Sequence, residues 1–274
     1  MKKILVTTDF SKESENALKV AAQLAKQRDS EIYLLHMLEI PYQELDAAGV
    51  YSELPEGMFF FRLAEQKFDN IASRPYLDGL TVHKIMESSN IFAGIKKTCK
   101  KHHIDFIMMG SHGATGLKEM FIGSNAEQVV RNSDVPVLVI KNEHEDFSVN
   151  EFVFASDFNN DNKETFNQAC KFAEFWDAKI HLLMVNTPSN FTTTAVANER
   201  IDAFIKNPSY ANYTVNIYND ETVEQGILNF SKSIDADLIG ISTHGRQGIA
   251  HFFNGSISED IVNHAKRPVM TFKI

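Results

Sequence analysis

The sequence is poor in cysteine, and its cysteines are not arranged as a metal or disulfide site. Cys99 and Cys170 lie far apart in unrelated contexts, and no CxxC motif is present. Disulfide-stabilised secreted domains need several cysteines, and structural zinc sites need closely spaced ones. We therefore expect a protein of a reducing compartment, the cytoplasm, in which both thiols are buried in apolar helical stripes.

Long hydrophobic runs are missing as well. No stretch of the chain approaches the roughly 18 apolar residues that a membrane-spanning helix needs. Residues 1–11 contain two lysines and a short apolar run that soon meets Asp9. This pattern is typical of a first β-strand and not of a signal peptide. We expect no membrane among the binding partners.

Positive charge is scarce. The chain has 27 Lys and Arg against 36 Asp and Glu, which gives a net charge of −9 at pH 7. Sequence-independent binding of nucleic acid needs a basic surface, so we do not expect nucleic acid among the partners either.

The motifs of efficient phosphoryl transfer and of nucleophilic catalysis are also absent. The chain has no GxxxxGK[ST] loop, no carboxylate cluster of the kind that kinases use to hold Mg²⁺, and no visible Ser/His/Asp arrangement. Tight ligand binding with slow or no turnover fits this sequence better than efficient catalysis.

What the sequence does contain is a regular alternation of apolar strands and amphipathic helices. In the first half, continuous apolar runs predict strands at 3–8, 31–38, 80–86, 105–109 and 135–140, and helical spacing predicts helices after Ser11, around 60–71, and over 90–103 and 124–132. Strands that are apolar throughout indicate a parallel sheet covered on both faces. We predict an α/β, Rossmann-like fold with a five-stranded parallel sheet and helices on both faces.

The second half of the chain repeats the first. FVFASDF at 152–158 corresponds to ILVTTDF at 4–10, and DLIGISTHG at 237–245 corresponds to DFIMMGSHG at 105–113. A repeat this complete indicates two tandem domains of similar fold. We place them at 1–142 and 150–274, with a short acidic and polar linker between them.

The last strand of each repeat bears on assembly. The apolar segments 135–140 and 268–274 would be liabilities as open sheet edges. We expect the two halves to pair through them as an intramolecular pseudo-dimer. Homodimerisation stays open, with the aromatic run Met58–Phe61 as a candidate surface.

Glycines after the fourth strand suggest a phosphate site. Gly110, Gly113 and Gly123-Ser124 follow the pattern Gly-x2-Gly-x9-Gly-Ser. Glycine lets the backbone approach a ligand closely, and the free N–H groups at a helix start attract an anion. Because ligands of open parallel sheets bind at the carboxyl ends of the strands, this arrangement predicts a nucleotide site.

The glycine pattern, the Thr8-Asp9 strand end, the GSHG loop and the terminal PVLVIK strand resemble the ATP-binding type of the universal stress protein (UspA) family. The resemblance covers nearly the whole chain as two tandem copies of an adenine nucleotide alpha hydrolase-like fold. It implies a stress-response sensor or regulator that binds ATP or another adenine nucleotide, with Mg²⁺ on the phosphates and at most weak ATPase activity. The ligand contacts that it implies in the first domain are Thr7, Thr8, Asp9, Met37, Met109, Gly110, His112, Gly113, Gly123, Ser124 and Asn125.

The second copy departs from the pattern at its first glycine, where Ser242 stands. A Cβ at a position where the backbone must approach the ligand is expected to weaken binding. We therefore predict binding mainly in the first domain, and whether the second domain binds stays open. The corresponding second-site residues are Ala155, Ser156, Asp157, Val185, Ser242, His244, Gly245, Gly255 and Ser256.

Structural explanations compete with these assignments. Ser124-x-x-Glu127 and Ser256-x-x-Glu259 have the capping-box form, which stabilises a helix without a ligand. Asp9 and Asp157 can likewise cap the turns that follow them. Two other functions also stay open: a non-nucleotide scaffold that acts through protein contacts, and a slow nucleotide hydrolase that uses His112 or Asp9. We assign no catalytic residue and no metal ligand.

Overall fold

The computed structural model describes residues 1–38, 55–111, 124–159, 162–206, 210–243 and 255–274. These residues form two compact units, Met1–Gly110 and Ser111–Ile274. Each unit is a mostly parallel sheet with helices, so the predicted α/β class is confirmed. Within the described residues, no helix combines the length and the apolar composition that crossing a membrane requires.

The first unit carries four strands of the first repeat. Its elements are β1 (Lys3–Thr7), α1 (Lys12–Arg28), β2 (Glu31–Met37), α2 (Pro55–Ala72), β3 (Val82–Glu87), α3 (Ile91–His102) and β4 (Phe106–Gly110). The parallel strands lie in the order β3-β2-β1-β4. The chain therefore changes direction across the sheet between β1 and β4, and a reversal of this kind opens a crevice at the carboxyl edge.

The second unit begins with the end of the first repeat and continues through the second. Its elements are α4 (Ser124–Asn132), β5 (Val137–Ile140), β6 (Glu151–Ala155), α5 (Lys163–Trp176), β7 (Lys179–Asn186), α6 (Thr194–Phe204), β8 (Tyr213–Asn219), α7 (Val223–Ser233), β9 (Leu238–Thr243), α8 (Gly255–His264) and β10 (Val269–Lys273). The strand order is β5-β10-β9-β6-β7-β8. The corresponding reversal lies between β6 and β9, which pair in parallel.

Helix α1 shows how the sequence sets these elements. The Ser11 hydroxyl accepts a hydrogen bond from the Ser14 amide at 3.2 Å, which satisfies one of the free N–H groups at the helix start. The helix ends where Asp29 adopts a left-handed conformation with φ of 52°. The apolar face that the sequence predicted is fully buried, and it consists of Ala17, Leu18, Ala21, Ala22 and Ala25.

The fifth strands of the two repeats pair with each other, as the sequence predicted. Strands β5 and β10 are antiparallel, and Val137, Leu138 and Val139 lie opposite Thr271, Met270 and Val269. All six residues are buried. Because each strand covers one edge of the other, neither is exposed on that side as a template for another chain.

A lysine at or just after each of these strands binds a helix end of the other repeat. The Lys141 ammonium donates to the carbonyl of Asn263 in α8 at 2.7 Å, and the Lys273 ammonium donates to the carbonyl of Asn132 in α4 at 3.3 Å. The last carbonyls of a helix lack intrahelical partners and carry the negative end of its dipole. The two lysines therefore cap α8 and α4 reciprocally.

The surroundings of the two lysines differ in charge. Lys273 also pairs with the Asp134 carboxylate at 2.7 Å, whereas the second repeat has Lys266 at the position that corresponds to Asp134. Lys141 is 8% exposed, and burial lowers its pKa to about 8. Lys141 is thus held by a neutral carbonyl at a desolvated position.

We predict that Lys141 makes the stability of the protein depend on alkaline pH. In the unfolded chain a lysine titrates near ~10.4, so between about pH 8 and 10.4 the unfolded state binds more protons than the folded state. The free energy of unfolding should therefore gain about 1–3 kcal/mol from this residue as pH rises through that window. Urea denaturation at several pH values measures the gain.

The matched variants separate this contribution from other titrating groups. Lys141→Met should lose the gain, whereas Lys273→Met, which removes the corresponding lysine of the second repeat, should retain it. Equal pH dependence in wild type and Lys141→Met would contradict the assignment.

Candidate functional site

A hydrogen-bonded turn follows β1 at the carboxyl edge of the first repeat. The Asp9 carboxylate accepts from the Ser11 amide at 3.0 Å, and the Thr8 hydroxyl accepts from the Phe10 amide at 3.0 Å. Phe10 has a φ of 65°, a left-handed conformation that is unfavourable for a residue with a side chain. Burial acts to raise the pKa of Asp9, but hydrogen bonds from Ser11 and Ser14 outweigh it and lower that pKa below its ordinary value, so the carboxylate is ionised at neutral pH.

The same turn follows β6 in the second repeat. The Ser156 hydroxyl accepts from the Phe158 amide at 3.0 Å, and Phe158 has a φ of 56°. Both oxygens of the Asp157 carboxylate accept hydrogen bonds: one from the amide of Asn159 at 3.0 Å and the carboxamide of Asn162 at 2.6 Å, the other from the carboxamide of Asn159 at 2.7 Å. The turn-capping role that competes with a ligand role is therefore filled by both aspartates, and it fixes the backbone at both strand ends.

A cleft opens at this edge in the second repeat. The space inside the cleft is about 20 Å³ for water-sized molecules, and it reaches about 370 Å³ only when the open solvent at its mouth is counted. The cleft is formed by the ends of β6 and β7, the loop after β7, α6 and the start of α7. Mostly apolar walls with a few placed polar groups are typical of small-molecule sites. The lining residues are Ala155, Ser156, Asp157, Leu183, Met184, Val185, Asn190, Arg200, Val223 and Ile227.

The cleft brings together some of the residues predicted for the second site and adds others. Ala155, Ser156, Asp157 and Val185 were predicted from the sequence, and all four line it. Asn190 and Arg200 were missed, because they lie between β7 and β8, where the two repeats differ most and the repeat comparison gives no signal.

Ser242 lies outside this cleft lining. It is fully buried, and its hydroxyl is 2.9 Å from the hydroxyl of Thr165 in α5. In the first repeat, a Cβ built on Gly110 would lie only 2.2 Å from the carbonyl oxygen of Glu13 in α1. This position therefore faces the first helix of each repeat. Ser242 thus packs against Thr165 of α5, and weaker ligand binding in the second repeat stays a prediction.

The loop between the strand-end aspartate and the first helix is longer in the second repeat than in the first. Helix α1 is capped by Ser11, directly beyond the Asp9 turn, whereas α5 begins several residues further from Asp157, after Asn162. A longer connection lets α5 lie where a serine side chain fits between it and β9. The exchange of Gly110 for Ser242 is thus explained by helix packing.

Two helix glycines that were not predicted to matter pack against the ends of β2 and β7, the second strand of each repeat. A Cβ on Gly94 would lie 2.4 Å from the Met37 methyl carbon, and a Cβ on Gly226 would lie 2.4 Å from a Val185 methyl carbon. Glycine inside a helix costs about 1 kcal/mol, so its use needs a reason. Close packing against the branched Val185 supplies that reason at Gly226, whereas the Met37 methyl group near Gly94 ends a flexible side chain that can move aside. The signal was present in the sequence, because each glycine stands four residues after the N-cap of its helix, Asn90 or Thr222.

The other predicted residues divide into described and undescribed ones. Thr7 is half-buried at the end of β1, Met109 is buried near the end of β4, and the carbonyl of Thr8 accepts a hydrogen bond from His36 Nδ1 at 2.8 Å. Ser124, Asn125, Gly255 and Ser256 are described only by their places at the starts of α4 and α8. His112, Gly113, Gly123, His244 and Gly245 lie outside the described residues.

Metal-ligating side chains do not cluster in the part of the chain that the structure describes. No group of three or more His, Cys, Asp and Glu residues is arranged there to hold a metal ion. Cys99 and Cys170 are both buried, as expected from the sequence, and neither forms a disulfide.

Comparison with known proteins relates this architecture to one family. The sequence model of the universal stress protein family matches residues 1–141 and 149–273. The chain is 35% identical over 153 residues to universal stress protein MJ0577 of Methanocaldococcus jannaschii. The aligned region covers 51% of this chain and 94% of the relative. It is 20% identical over the full length of both chains to universal stress protein Slr1230 of Synechocystis.

A solved structure has the same fold over the whole chain. The crystal structure of a universal stress protein from Archaeoglobus fulgidus superposes with a TM-score of 0.73 at 23% identity, covering 99% of this chain and 98% of the other. This likeness supports the tandem α/β fold.

The packing of α1 and α5 predicts different tolerance at Gly110 and Ser242. Gly110→Ala should lower the free energy of unfolding by about 2–4 kcal/mol, because the new Cβ overlaps the backbone of α1. Ser242→Ala removes one buried hydrogen bond and should cost about 1 kcal/mol. Urea denaturation of the two variants measures both changes. A Gly110→Ala protein as stable as wild type would refute the packing role.

Proposed function

Because the chain belongs to the universal stress protein family, we propose that it binds ATP or another adenine nucleotide and acts as a stress-response sensor or regulator. The observation that carries the proposal is the cleft at the carboxyl edge of the second repeat. In open parallel sheets, ligands bind at this edge where the strand order reverses, and here the reversal lies between β6 and β9.

The chemistry of the cleft suits one end of a nucleotide. Apolar side chains of Val185, Val223 and Ile227 offer a surface for a flat purine ring, and backbone groups at the ends of β6 and β7 offer donors and acceptors for its edge. The start of α8 would hold phosphates that extend beyond the cleft, since backbone N–H groups at a helix start attract an anion. Mg²⁺ would arrive with the phosphates.

For the first repeat, support comes from the complete glycine pattern Gly110-x2-Gly113-x9-Gly123-Ser124. Because the Ser242 hydroxyl contacts Thr165 of α5, we extend the proposal to both repeats. The absence of a P-loop lysine motif and of a kinase-type carboxylate cluster favours a ligand that sets conformation, with at most weak ATPase activity.

Calorimetric titration of the full chain with ATP, ADP and AMP tests the proposal. We expect two saturable sites in wild type. Gly113→Val should remove the first and Gly245→Val the second, because a branched side chain would stand where the backbone approaches phosphate. Ala211→Val, at an exposed loop position, is the control and should retain both. Absence of saturable heat with every adenine nucleotide would exclude the function. Phosphate release far above that of heat-killed protein would instead favour the hydrolase.

A second candidate, a scaffold that acts through protein contacts, is favoured by one observation. Phe59, Phe60 and Phe61 on α2 are 61%, 42% and 43% exposed, and Leu63 is 38% exposed. Adjacent exposed apolar side chains often mark interaction surfaces. If this face mediates self-association, replacing Phe59 and Phe60 with serine should lower the mass measured by light scattering at high concentration. An unchanged mass would remove this argument for self-association.

A further inference from the structure

The cleft of the second repeat contains a cation that the family motif does not supply. Arg200 lies on α6, within the connection between β7 and β8, and Asn190 lies on the loop that precedes this helix. Both line the cleft beside the strand-end residues. Because Arg200 and Asn190 belong neither to the strand ends nor to the glycine segments, the roles proposed for those segments do not account for them.

The loop that carries Asn190 is held in place by its own hydrogen bonds. The carboxamide of Asn186 accepts from the Thr192 amide at 2.8 Å and donates to the Thr192 carbonyl at 2.9 Å. Thr187 and Asn190 form an antiparallel bridge within it. The Thr193 hydroxyl then caps α6. This fixed geometry sets the start of α6 and so the place from which Arg200 reaches the cleft.

The charge of Arg200 is not neutralised within the described residues. No hydrogen bond or ion pair joins its guanidinium to another described residue, although Asp157 lines the same cleft. The Asp157 carboxylate is engaged on both oxygens by Asn159 and Asn162 in its own turn. In a chain with a net charge of −9, a cation that lines a cleft and has no ion-pair partner among the described residues favours an anionic ligand.

We propose that Arg200, assisted by Asn190, is the specificity-determining residue of this cleft and pairs with a phosphate group of the ligand. The inference rests on the proposed function, and it deepens that function by naming how the second repeat distinguishes a phosphorylated nucleotide from a neutral nucleoside. The planar guanidinium donates in a fork that matches two phosphate oxygens, and the Asn190 amide adds a neutral donor.

The test must report on this cleft separately from the first repeat. Methyl groups of Ile227, Val223 and Val185 line the cleft, so methyl NMR titrations give its dissociation constant directly. Adenosine, AMP, ATP and pyrophosphate are titrated into the full chain, into Arg200→Gln and Arg200→Lys, and into Lys206→Gln. The last variant removes the same charge from an exposed position just beyond α6.

We expect Arg200→Gln to raise the dissociation constants of AMP and ATP about tenfold or more, because charge-assisted hydrogen bonds to phosphate are lost. The dissociation constant of adenosine should change by no more than about twofold. Arg200→Lys should fall between wild type and Arg200→Gln, since the charge remains but the fork is lost. Lys206→Gln should match wild type. Equal weakening of adenosine and AMP would overturn the proposal, because Arg200 would then act on the ring or the fold, and so would unchanged nucleotide affinity in Arg200→Gln.

Failure of adenine-nucleotide binding can be distinguished from failure of the Arg200–phosphate contact. If wild type binds no adenine ligand, the proposed function fails, and pyrophosphate still tests Arg200. Cleft methyl shifts on pyrophosphate addition that disappear in Arg200→Gln would support the phosphate contact. Shifts that persist unchanged in Arg200→Gln, or no shifts in wild type, would overturn it.

Discussion

The contact on which the geometry of the carboxyl edge depends is the close approach of the first helix to the end of the fourth strand in each repeat. In the first repeat, the Glu13 carbonyl lies so close to Gly110 that no side chain fits there. In the second, Ser242 fits because α5 begins later, and its hydroxyl forms a hydrogen bond with the Thr165 hydroxyl. The helix position in turn fixes the Asp9 and Asp157 turns, which connect the first strand to that helix.

This contact separates two roles that one glycine pattern combines. A glycine after a strand is commonly explained by close approach to a phosphate, but Gly110 is required by its own neighbouring helix. Gly226 likewise serves packing, against the branched side chain of Val185. These glycines are therefore explained by packing within each repeat, whether or not a ligand is bound.

The two repeats share a backbone and differ in their charges. Both contain the Asp turn with a left-handed phenylalanine, and both cap a helix of the other repeat with a lysine. They differ where Asp134 is replaced by Lys266 and where the second repeat places Arg200 in its cleft. Because backbone hydrogen bonds set the common frame, the two repeats keep the same fold while their local charges differ.

The sequence by itself determined the order of strands and helices, the tandem repeat, the buried face of α1, and the edge of the sheet at which Ala155, Ser156, Asp157 and Val185 meet. These features follow from hydrophobic periodicity and from the rule that parallel strands end at one edge, both of which are local or topological. Only the tertiary structure decided that Gly110 and Ser242 face a helix, that Lys141 is desolvated, and that Arg200 reaches the cleft. Each of these depends on which atoms of distant segments lie within a few ångströms of one another, and no spacing within one segment specifies that.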